Sequence, residues 1–379
     1  MKQVIVLGAG MVGSAMALDL AKTHKVCLCD YNADRLNEFL NIHPNLELKQ
    51  LDVTDENMLG QTIAPFDLVL SAVPGFLGFQ TLKIIIESGK NVVDISFFPE
   101  NALDLNELAI RNQVTAIVDC GVAPGMDNII LGRYNELMKL SHFECLVGGL
   151  PKEKKWPFCY KAPFSPVDVI EEYTRPARYV EHSQIITREA LTDCEYVEFD
   201  KVGTLESFNT DGLRSIIFTM SHIPNLKEKT LRYPGHVEYI KALKESGFFS
   251  EEPIVINGQT VSPLEMSSRI LFKEWKLNPG DEEFTVMRVT LKGTNAEGKE
   301  QEVIYDLYDE HCRETNISSM SRTTGYTATA AVNLILEKRF DGNGVFPPEL
   351  IGKHKDCFDF ILSYLKERGV VYNKRSMLH

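Results

Sequence analysis

Short hydrophobic runs alternate with helix-forming stretches along the first third of the chain. Lys2 to Leu7 is an apolar, β-branched run that ends at a glycine, which is typical of a strand buried in a parallel sheet. Ser14 to Lys22 is helix-forming with one apolar face. Further strands are predicted at 26–29, 46–53, 67–74, 91–96 and 114–119, with helices at 33–40, 55–63, 79–88 and 102–113. This alternation predicts an α/β fold, a doubly wound parallel sheet with right-handed crossovers.

The pattern changes near residue 126, where the alternation of strands and helices ends. Gly121 and Gly125 flank a proline and predict a turn, which is followed by a helix at 129–140. Beyond it, alternating apolar and polar residues predict a largely antiparallel sheet with helices on one face. Its strands are expected at 143–147, 196–205, 283–291 and 301–308, and its helices at 167–173, 212–220, 237–245 and 263–272. The chain then returns to helix at 332–338 and 356–368.

The loop after the first strand carries three glycines with separate roles. Gly8 permits a tight turn, Gly10 lets the backbone approach a pyrophosphate, and Gly13 lets the helix pack close to the strand. The helix N-terminus offers free N–H groups to the phosphates. Asp30 ends the second strand, where it would accept hydrogen bonds from the adenosine ribose and repel a 2′-phosphate. The motif therefore predicts NAD binding. Arg35 is a candidate to reduce the preference for NAD over NADP.

The same loop also fits a glycine turn in an α/β protein that binds no nucleotide. In the nucleotide-binding interpretation, the carboxyl ends of the parallel strands line the ligand crevice. The cofactor-binding candidates are Gly8, Ala9, Gly10, Met11, Val12, Gly13, Asp30, Tyr31, Arg35, Asp52, Val53, Ala72, Val73, Pro74 and Ser96.

Composition and charge argue against a nucleic-acid-binding, membrane-spanning or metal-binding protein. The 379 residues suffice for two or three domains, and their net charge of −13 argues against a nucleic-acid partner. No apolar run approaches the roughly twenty residues of a membrane span, and no signal peptide precedes the first strand, so we expect a cytoplasmic protein. The cysteines form no C-x-x-C pair, and Cys27 and Cys29 lie in a predicted strand as small buried residues. No metal site is predicted.

Groups that bind anions or transfer protons are concentrated after the parallel sheet. The arginine fork bonds both oxygens of a carboxylate, which makes Arg214 and Arg232 candidates to bind the carboxylate of a substrate. The catalytic candidates are Asp127, Lys161 and His236, and the other substrate-binding candidates are Gly121 and Thr324.

Each of these candidates has a structural alternative. Arg214 and Arg232 would equally suit internal ion pairs. The paired acids and arginines of 171–178 would equally form a solvated salt-bridge cluster. The remaining alternatives are an exposed position for Lys161, a helix start for His236 and an N-cap for Thr324.

Eight short motifs in series carry a resemblance to a known family. They lie at 74–79, 121–125, 148–152, 171–178, 211–215, 230–236, 318–326 and 344–349. In this order they resemble the saccharopine dehydrogenase (saccharopine reductase) family, and within it most closely the lysine 6-dehydrogenases. The saccharopine-cleaving members carry an aspartate just before the proline of the 121–125 turn, where this chain has Ala123.

The resemblance implies a division of the chain and an assembly. It implies an NAD-binding Rossmann domain at 1–125, an inserted α+β substrate and dimerisation domain at 126–322, and a C-terminal segment at 323–379 that returns to the Rossmann domain. A homodimer with contact through the second domain is also implied.

The implied activity is NAD-dependent oxidative deamination of the ε-amino group of L-lysine. The expected products are ammonia and 2-aminoadipate 6-semialdehyde, which cyclises to a piperideine carboxylate. The alternatives are a saccharopine dehydrogenase, a polyamine-directed reductase of the same family, and an NAD-binding regulatory protein without catalysis.

Overall fold

The computed structural model describes residues 1–162, 166–278 and 280–378. The chain divides into two compact units. The first comprises Met1–Leu140, Thr294–Lys299 and Met320–Tyr372, and the second comprises Ser141–Gly293, Glu300–Ser319 and Asn373–His379. The second unit is therefore built mostly from a segment inserted between two parts of the first.

The strands of the described residues are, in chain order, β1 (Gln3–Leu7), β2 (Lys25–Asp30), β3 (Leu46–Gln50), β4 (Leu68–Ser71), β5 (Val92–Asp94), β6 (Thr115–Ile117), β7 (Met138–Pro151), β8 (Ala177–Glu181), β9 (Gln184–Arg188), β10 (Glu195–Phe199), β11 (Gly203–Asn209), β12 (Asn225–Arg232), β13 (Ile254–Ile256), β14 (Gln259–Val261), β15 (Glu283–Asn295), β16 (Glu300–Glu310), β17 (Gly344–Phe346) and β18 (Tyr372–Leu378).

The α-helices are α1 (Met11–Ala21), α2 (Ala33–Asn37), α3 (Glu56–Ile63), α4 (Gly75–Glu87), α5 (Asn106–Arg111), α6 (Met126–Asn135), α7 (Pro166–Thr174), α8 (Ile216–Thr219), α9 (His236–Glu245), α10 (Pro263–Trp275), α11 (Ser319–Leu336), α12 (Pro348–Gly352) and α13 (Lys355–Glu367). A 3₁₀ helix at Ala102–Leu105 precedes α5. Within the described ranges, no helix combines the length and the apolar character that a membrane span requires.

A seven-stranded sheet in the order β17-β6-β5-β4-β1-β2-β3 forms the first unit. All of its strand pairs are parallel. The strand order reverses between β1 and β4, as it does at the ligand crevice of a Rossmann fold. The strands are apolar and fully buried at Val4, Val69 and Val93, as expected where helices cover both faces. The predicted doubly wound parallel sheet is confirmed.

The second unit contains a nine-stranded sheet. Seven strands follow the order β10-β11-β12-β7-β15-β16-β18, while β8 pairs with β12 and β9 pairs with β8. The pairs β10–β11 and β11–β12 are antiparallel, but β7 and β12 are parallel. The sheet is therefore mixed, which agrees with the predicted α+β class.

The C-terminal segment completes the first unit through buried polar contacts. Asp19 of α1 accepts hydrogen bonds from Thr329 of α11 (2.8 Å) and Tyr364 of α13 (2.7 Å). Its other oxygen lies 2.8 Å from Nε of Arg368. Since the Asp19 side chain is fully buried, these partners stabilise a charge that would otherwise be costly to bury.

The structure differs from the sequence predictions at several elements. The helix expected at 129–140 is α6, which ends at Asn135, and Met138 already begins β7. The stretch 196–205 forms two strands, because the chain reverses before Gly203, whose φ is +84°. The helix expected at 212–220 shortens to α8, since Arg214 has a φ of +49°. β18 belongs to the sheet of the second unit, while the segment 323–379 was expected to return to the Rossmann domain.

Candidate active site

The glycine loop joins β1 to α1 with no room for side chains at two positions. A Cβ at Gly8, whose φ is +104°, would lie 2.5 Å from the carbonyl oxygen of Ala72. A Cβ at Gly13 would lie 1.9 Å from the carbonyl oxygen of Gly8. Both glycines are therefore required for α1 to start directly above the carboxyl ends of β1 and β4.

The first turn of α1 is open to an anion. Gly10 is its N-cap, no side chain caps the helix, and the turn contains no acidic residue. The nearest atom to a Cβ at Gly10 would be Nη1 of Arg35, at 3.9 Å. Unpaired N–H groups at a helix N-terminus attract phosphate. The loop formed by Ala9, Gly10, Met11 and Val12 thus fits the pyrophosphate of a dinucleotide.

Asp30 stands beside this loop with its carboxylate already oriented. Its Oδ2 accepts a hydrogen bond from Ala9 N (2.8 Å), and its Oδ1 accepts one from Asn32 N (2.9 Å). A carboxylate oxygen can accept more than one hydrogen bond, so both oxygens retain capacity for ribose hydroxyls. Tyr31 is 73% exposed, and Arg35 is also exposed. The segment 30–35 therefore contains both Asp30, which suits the ribose hydroxyls of NAD, and Arg35, which suits the 2′-phosphate of NADP.

The remaining cofactor candidates follow the ends of β3, β4 and β5. Asp52 accepts hydrogen bonds from the amide and hydroxyl of Thr54, which lower the pKa of its carboxyl group. Val53 packs partly buried against the apolar core. Ala72 and Val73 follow β4, Pro74 is the N-cap of α4, and Ser96 Oγ donates to Asp94 Oδ1 at 2.9 Å.

A tight turn after β6 brings two predicted substrate residues together. Gly121 N lies 3.1 Å from the carbonyl oxygen of Pro124, and Gly125 has a φ of +146°. A Cβ at Gly121 would lie 3.3 Å from Cγ2 of Thr324. The structure therefore places Gly121 against Thr324, and Ala123 is a partly buried residue of the same turn.

Asp127 lies in the first turn of α6 and is only 2% exposed. Its Oδ1 accepts a hydrogen bond from Gly125 N at 2.9 Å. This contact stabilises the helix start and the preceding turn. Asp127 therefore has a structural role at this position, and a catalytic role for it stays a prediction.

Arg232 of β12 is buried in the second unit, at 2% exposure. Its Nη2 lies 2.8 Å from Oε2 of Glu172 and 3.3 Å from the hydroxyl of Tyr160. Its Nε donates to the hydroxyl of Tyr173 at 3.2 Å. The guanidinium is thus paired within the protein, as in the structural alternative for Arg232.

His236 extends this network, and its tautomer follows from its partners. Nδ1 lies 2.9 Å from the carbonyl oxygen of Phe158, which can only accept a hydrogen bond. Burial and the charge of Arg232 lower the pKa of His236 to about 3. The neutral ring therefore donates from Nδ1 and accepts at Nε2 from the Tyr173 hydroxyl, at 2.8 Å. Both ring nitrogens are engaged, which favours the structural alternative for His236.

Arg214 and Lys161 lie in different settings within the same unit. Arg214 is 8% exposed and adopts a φ of +49°, a conformation that is uncommon outside glycine and concentrates at functional sites. Lys161 Nζ donates to the carbonyl oxygen of Glu274 at 2.5 Å. It also lines a cavity of about 230 Å³ with Lys152, Lys155, Asp281 and Glu282, among others. Lys161 therefore belongs to a charged surface cavity.

The salt-bridge alternative for 171–178 holds in part. Arg175 pairs with Glu171 one helical turn away. Arg178 instead binds Asp211 through both side-chain oxygens, with Nη2 2.9 Å from Oδ2. Three residues that surround Arg232 were not identified as site residues from the sequence, namely Tyr160, Tyr173 and Glu172. The paired acids at 171–172 were the available signal, but the partner of Glu172 is Arg232, which lies on a strand sixty residues away.

No group of three or more histidine, cysteine or acidic side chains suited to a metal ion occurs within residues 1–162, 166–278 and 280–378. The cysteines of the described chain are unbridged, and Sγ of Cys27 lies 3.8 Å from Sγ of Cys29 within the buried strand.

Two family profiles match the chain. The saccharopine dehydrogenase NADP binding domain matches residues 4–117, and the saccharopine dehydrogenase C-terminal domain matches residues 121–370. Together they cover both units.

Individual proteins that match the chain share about a quarter or less of their aligned residues with it. Mouse mitochondrial alpha-aminoadipic semialdehyde synthase is 22% identical across 100% of this chain and 48% of its own length. The saccharopine dehydrogenase [NADP(+), L-glutamate-forming] of Schizosaccharomyces pombe is 25% identical across 66% of this chain and 59% of its own. This chain therefore spans about half of these relatives.

Two solved structures share the fold. Apo saccharopine dehydrogenase (L-Glu forming) from Saccharomyces cerevisiae superimposes with a TM-score of 0.82 at 19% identity, covering 100% of both chains. A homospermidine synthase from Legionella pneumophila in complex with NAD gives a TM-score of 0.67 at 14% identity, covering 99% of this chain and 91% of that one. At these identities the likeness concerns the fold alone.

Proposed function

Because this chain belongs to the saccharopine dehydrogenase family, we propose that it is a nicotinamide-dependent oxidoreductase that oxidises a C–N bond of an amino acid. The cofactor proposal is supported by the open N-terminus of α1 and by the glycine positions that no other residue can occupy. We propose NAD rather than NADP, because Asp30 presents a carboxylate where a 2′-phosphate would lie. Arg35 is the group that would weaken this preference.

The proposed substrate is L-lysine, oxidised at the carbon that bears the ε-amino group. The observation that supports it is Ala123, which supplies no carboxylate at the turn position where the saccharopine-cleaving members carry aspartate. Arg214 and Arg232 are the proposed partners of the substrate carboxylate. Arg232 would have to exchange Glu172 for the substrate, whereas the strained backbone of Arg214 already presents a feature typical of functional sites.

The chemistry requires one proton and one hydride to leave the substrate. The ε-ammonium would lose a proton to a base of the protein, and a bound nicotinamide would supply the oxidising power as the acceptor of the hydride from Cε. Water adds to the resulting iminium, and ammonia departs to leave the aldehyde. Asp127 is the proposed proton acceptor, and Lys161 would accept a proton only as the neutral amine. His236 is less suited to the task, because both of its ring nitrogens are engaged and burial keeps it neutral.

The second candidate is oxidation of saccharopine. It is favoured by the similarity to the S. pombe relative, which is named a saccharopine dehydrogenase that forms L-glutamate. Both reactions give the same semialdehyde, but lysine releases ammonia and saccharopine releases L-glutamate. The co-product therefore identifies the substrate. The test is to supply the purified 379-residue chain with NAD and either substrate, and to assay NADH, ammonia and glutamate separately. NADH and ammonia from lysine support the proposal; turnover of saccharopine alone replaces it with the second candidate.

The carboxylate partners can be tested with a substrate that lacks the group. Cadaverine is lysine without its carboxylate. Arg214→Ala should raise the KM for lysine by about tenfold or more and leave turnover of cadaverine unchanged. Arg178→Ala is the matched control, since Arg178 is paired with Asp211. An equal loss with both substrates would assign Arg214 to folding. We also propose a homodimer, which light scattering of the purified chain would test.

A further inference from the structure

Two buried polar side chains, Ser71 and Asp94, lie side by side at the carboxyl ends of β4 and β5. Ser71 and Asp94 are register partners in the parallel ladder, and both are fully buried. Ser96 donates to Asp94 Oδ1. Asp94 Oδ2 and Ser71 Oγ have no partner at full hydrogen-bonding geometry among the described residues, although the Ser71 hydroxyl is near enough to Asp94 to lower the pKa of its carboxyl group. Since buried polar atoms are almost always paired, such atoms call for a specific explanation.

The groups around Asp94 leave its carboxyl group without a counter-ion. Burial and, to a smaller extent, the carboxyl group of Asp119 raise the pKa of Asp94 to about 7, against the opposite effect of hydrogen bonds from Ser71 and Ser96. The neighbouring Cys120 thiol also has a raised pKa, because of burial and of both carboxyl groups. Among the described residues, no cation contributes to the pKa shift of Asp94.

The position of Asp94 relates it to one half of the proposed cofactor. Asp30 at the end of β2 marks the adenosine half of the crevice. A dinucleotide crosses the point where the strand order reverses, so its other half lies over the ends of β4, β5 and β6. Ser71, Asp94 and Asp119 are at these three ends. The buried Asp94 carboxyl group, which has hydroxyl partners but no counter-ion, therefore belongs to the nicotinamide side of the crevice.

We propose that Asp94 selects the oxidation state of the bound cofactor, because its ionised carboxylate attracts the cationic oxidised nicotinamide ring and has no corresponding attraction for the neutral reduced ring. This inference rests on the proposed nicotinamide function. Opposite charges attract strongly in a water-poor site, where screening is weak. The oxidised cofactor supplies the positive charge that the protein itself does not place beside Asp94.

The test measures binding and needs no turnover. The dissociation constants of NAD⁺ and NADH are measured by calorimetry on the full chain between about pH 5.5 and 8.5. As Asp94 ionises near pH 7, the affinity ratio should shift toward NAD⁺ by about tenfold. Asp94→Asn, which keeps the size of the side chain, should abolish this shift. A ratio that does not change with pH, or an unchanged shift in Asp94→Asn, would overturn the inference.

Two further variants keep the test decisive. Ser96→Ala removes a hydroxyl that stabilises the ionised Asp94 carboxylate, so the midpoint of the pH-dependent shift in affinity ratio should move to higher pH. An unmoved midpoint would contradict the inference. This outcome decides the question even if Asp94→Asn does not fold. Asp104→Asn changes an exposed acid and should preserve both the shift and its midpoint. If neither form of the cofactor binds, the proposed function fails as well, whereas binding with a constant ratio overturns only the role of Asp94.

Discussion

Arg232 and Glu172 form an ion pair in the second unit, with Nη2 of the guanidinium 2.8 Å from Oε2 of the carboxylate. The Arg232 side chain is 2% exposed, while that of Glu172 is 25% exposed. Burial raises the pKa of Glu172, and the charge of Arg232 opposes this effect. The arginine therefore depends on one partly exposed carboxylate for its charge compensation. A substrate carboxylate that entered this site would have to replace it.

Removing the charge of Glu172 should destabilise the protein. Glu172→Gln keeps a hydrogen-bond acceptor but leaves the buried Arg232 without a counter-ion, so we expect a loss of about 2 kcal/mol in the free energy of unfolding. Urea unfolding measures this loss.

Glu171→Gln is the control, because Glu171 pairs with Arg175 on the surface of the same helix and should cost about 0.5 kcal/mol or less. Equal effects of the two variants would contradict a buried, charge-dependent role for Glu172.

Asp30 should determine the choice between NAD and NADP. Asp30→Ala removes both the ribose partner and the charge that repels a 2′-phosphate, so the ratio of NAD to NADP affinity should fall by roughly tenfold or more. Fluorescence titration with NADH and NADPH measures the ratio. Asp34→Ala, an exposed acid in α2, should preserve it. Unchanged selectivity in Asp30→Ala would remove Asp30 as the selector.

Asp94 should make the stability of the protein depend on pH. Its pKa is raised on folding, so between about pH 4 and 7 the folded state holds a proton that the unfolded state has released. Stability therefore falls as the pH rises through this window, with a contribution of about 1 kcal/mol per pH unit.

Asp94→Asn removes this contribution. Relative to the unsubstituted protein, the variant should be more stable at about pH 8 than at about pH 5. Thermal unfolding at the two pH values measures the difference. A stability difference that does not change with pH would contradict a protonated Asp94 in the folded state.

The structural features that were predicted correctly from the sequence are those determined by residues close to one another along the chain. The glycine loop, α1 and Asp30 lie within thirty residues, and their spacing alone requires a strand, a tight turn and a helix. The six parallel strands were predicted for the same reason, because each is an apolar run bounded by turn residues.

The features that were missed depend on distant residues. β17 is three residues long and pairs with β6 from more than two hundred positions away. β18 is almost entirely exposed and carries no apolar alternation that would identify it as a strand. Arg232 was recognised as important, but its partners Glu172 and Tyr160 come from segments whose positions only the folded chain determines.

The turn at 121–125 combines a feature that neighbouring residues determine with one that depends on a distant residue. Its glycines and proline predicted a turn, and the contact between Gly121 and Thr324 was not predictable, because two hundred residues separate them. Both were nevertheless candidates, since their motifs recur in the family that the chain resembles. Their contact is a finding of the structure, and their role with a substrate stays a prediction.

The co-product of amino-acid oxidation tests the central claim most directly. The purified 379-residue chain is incubated with NAD and L-lysine, and ammonia and NADH are measured together, with saccharopine as the parallel substrate. We predict equimolar NADH and ammonia from lysine. NADH and L-glutamate from saccharopine, with no NADH from lysine, would contradict the proposal.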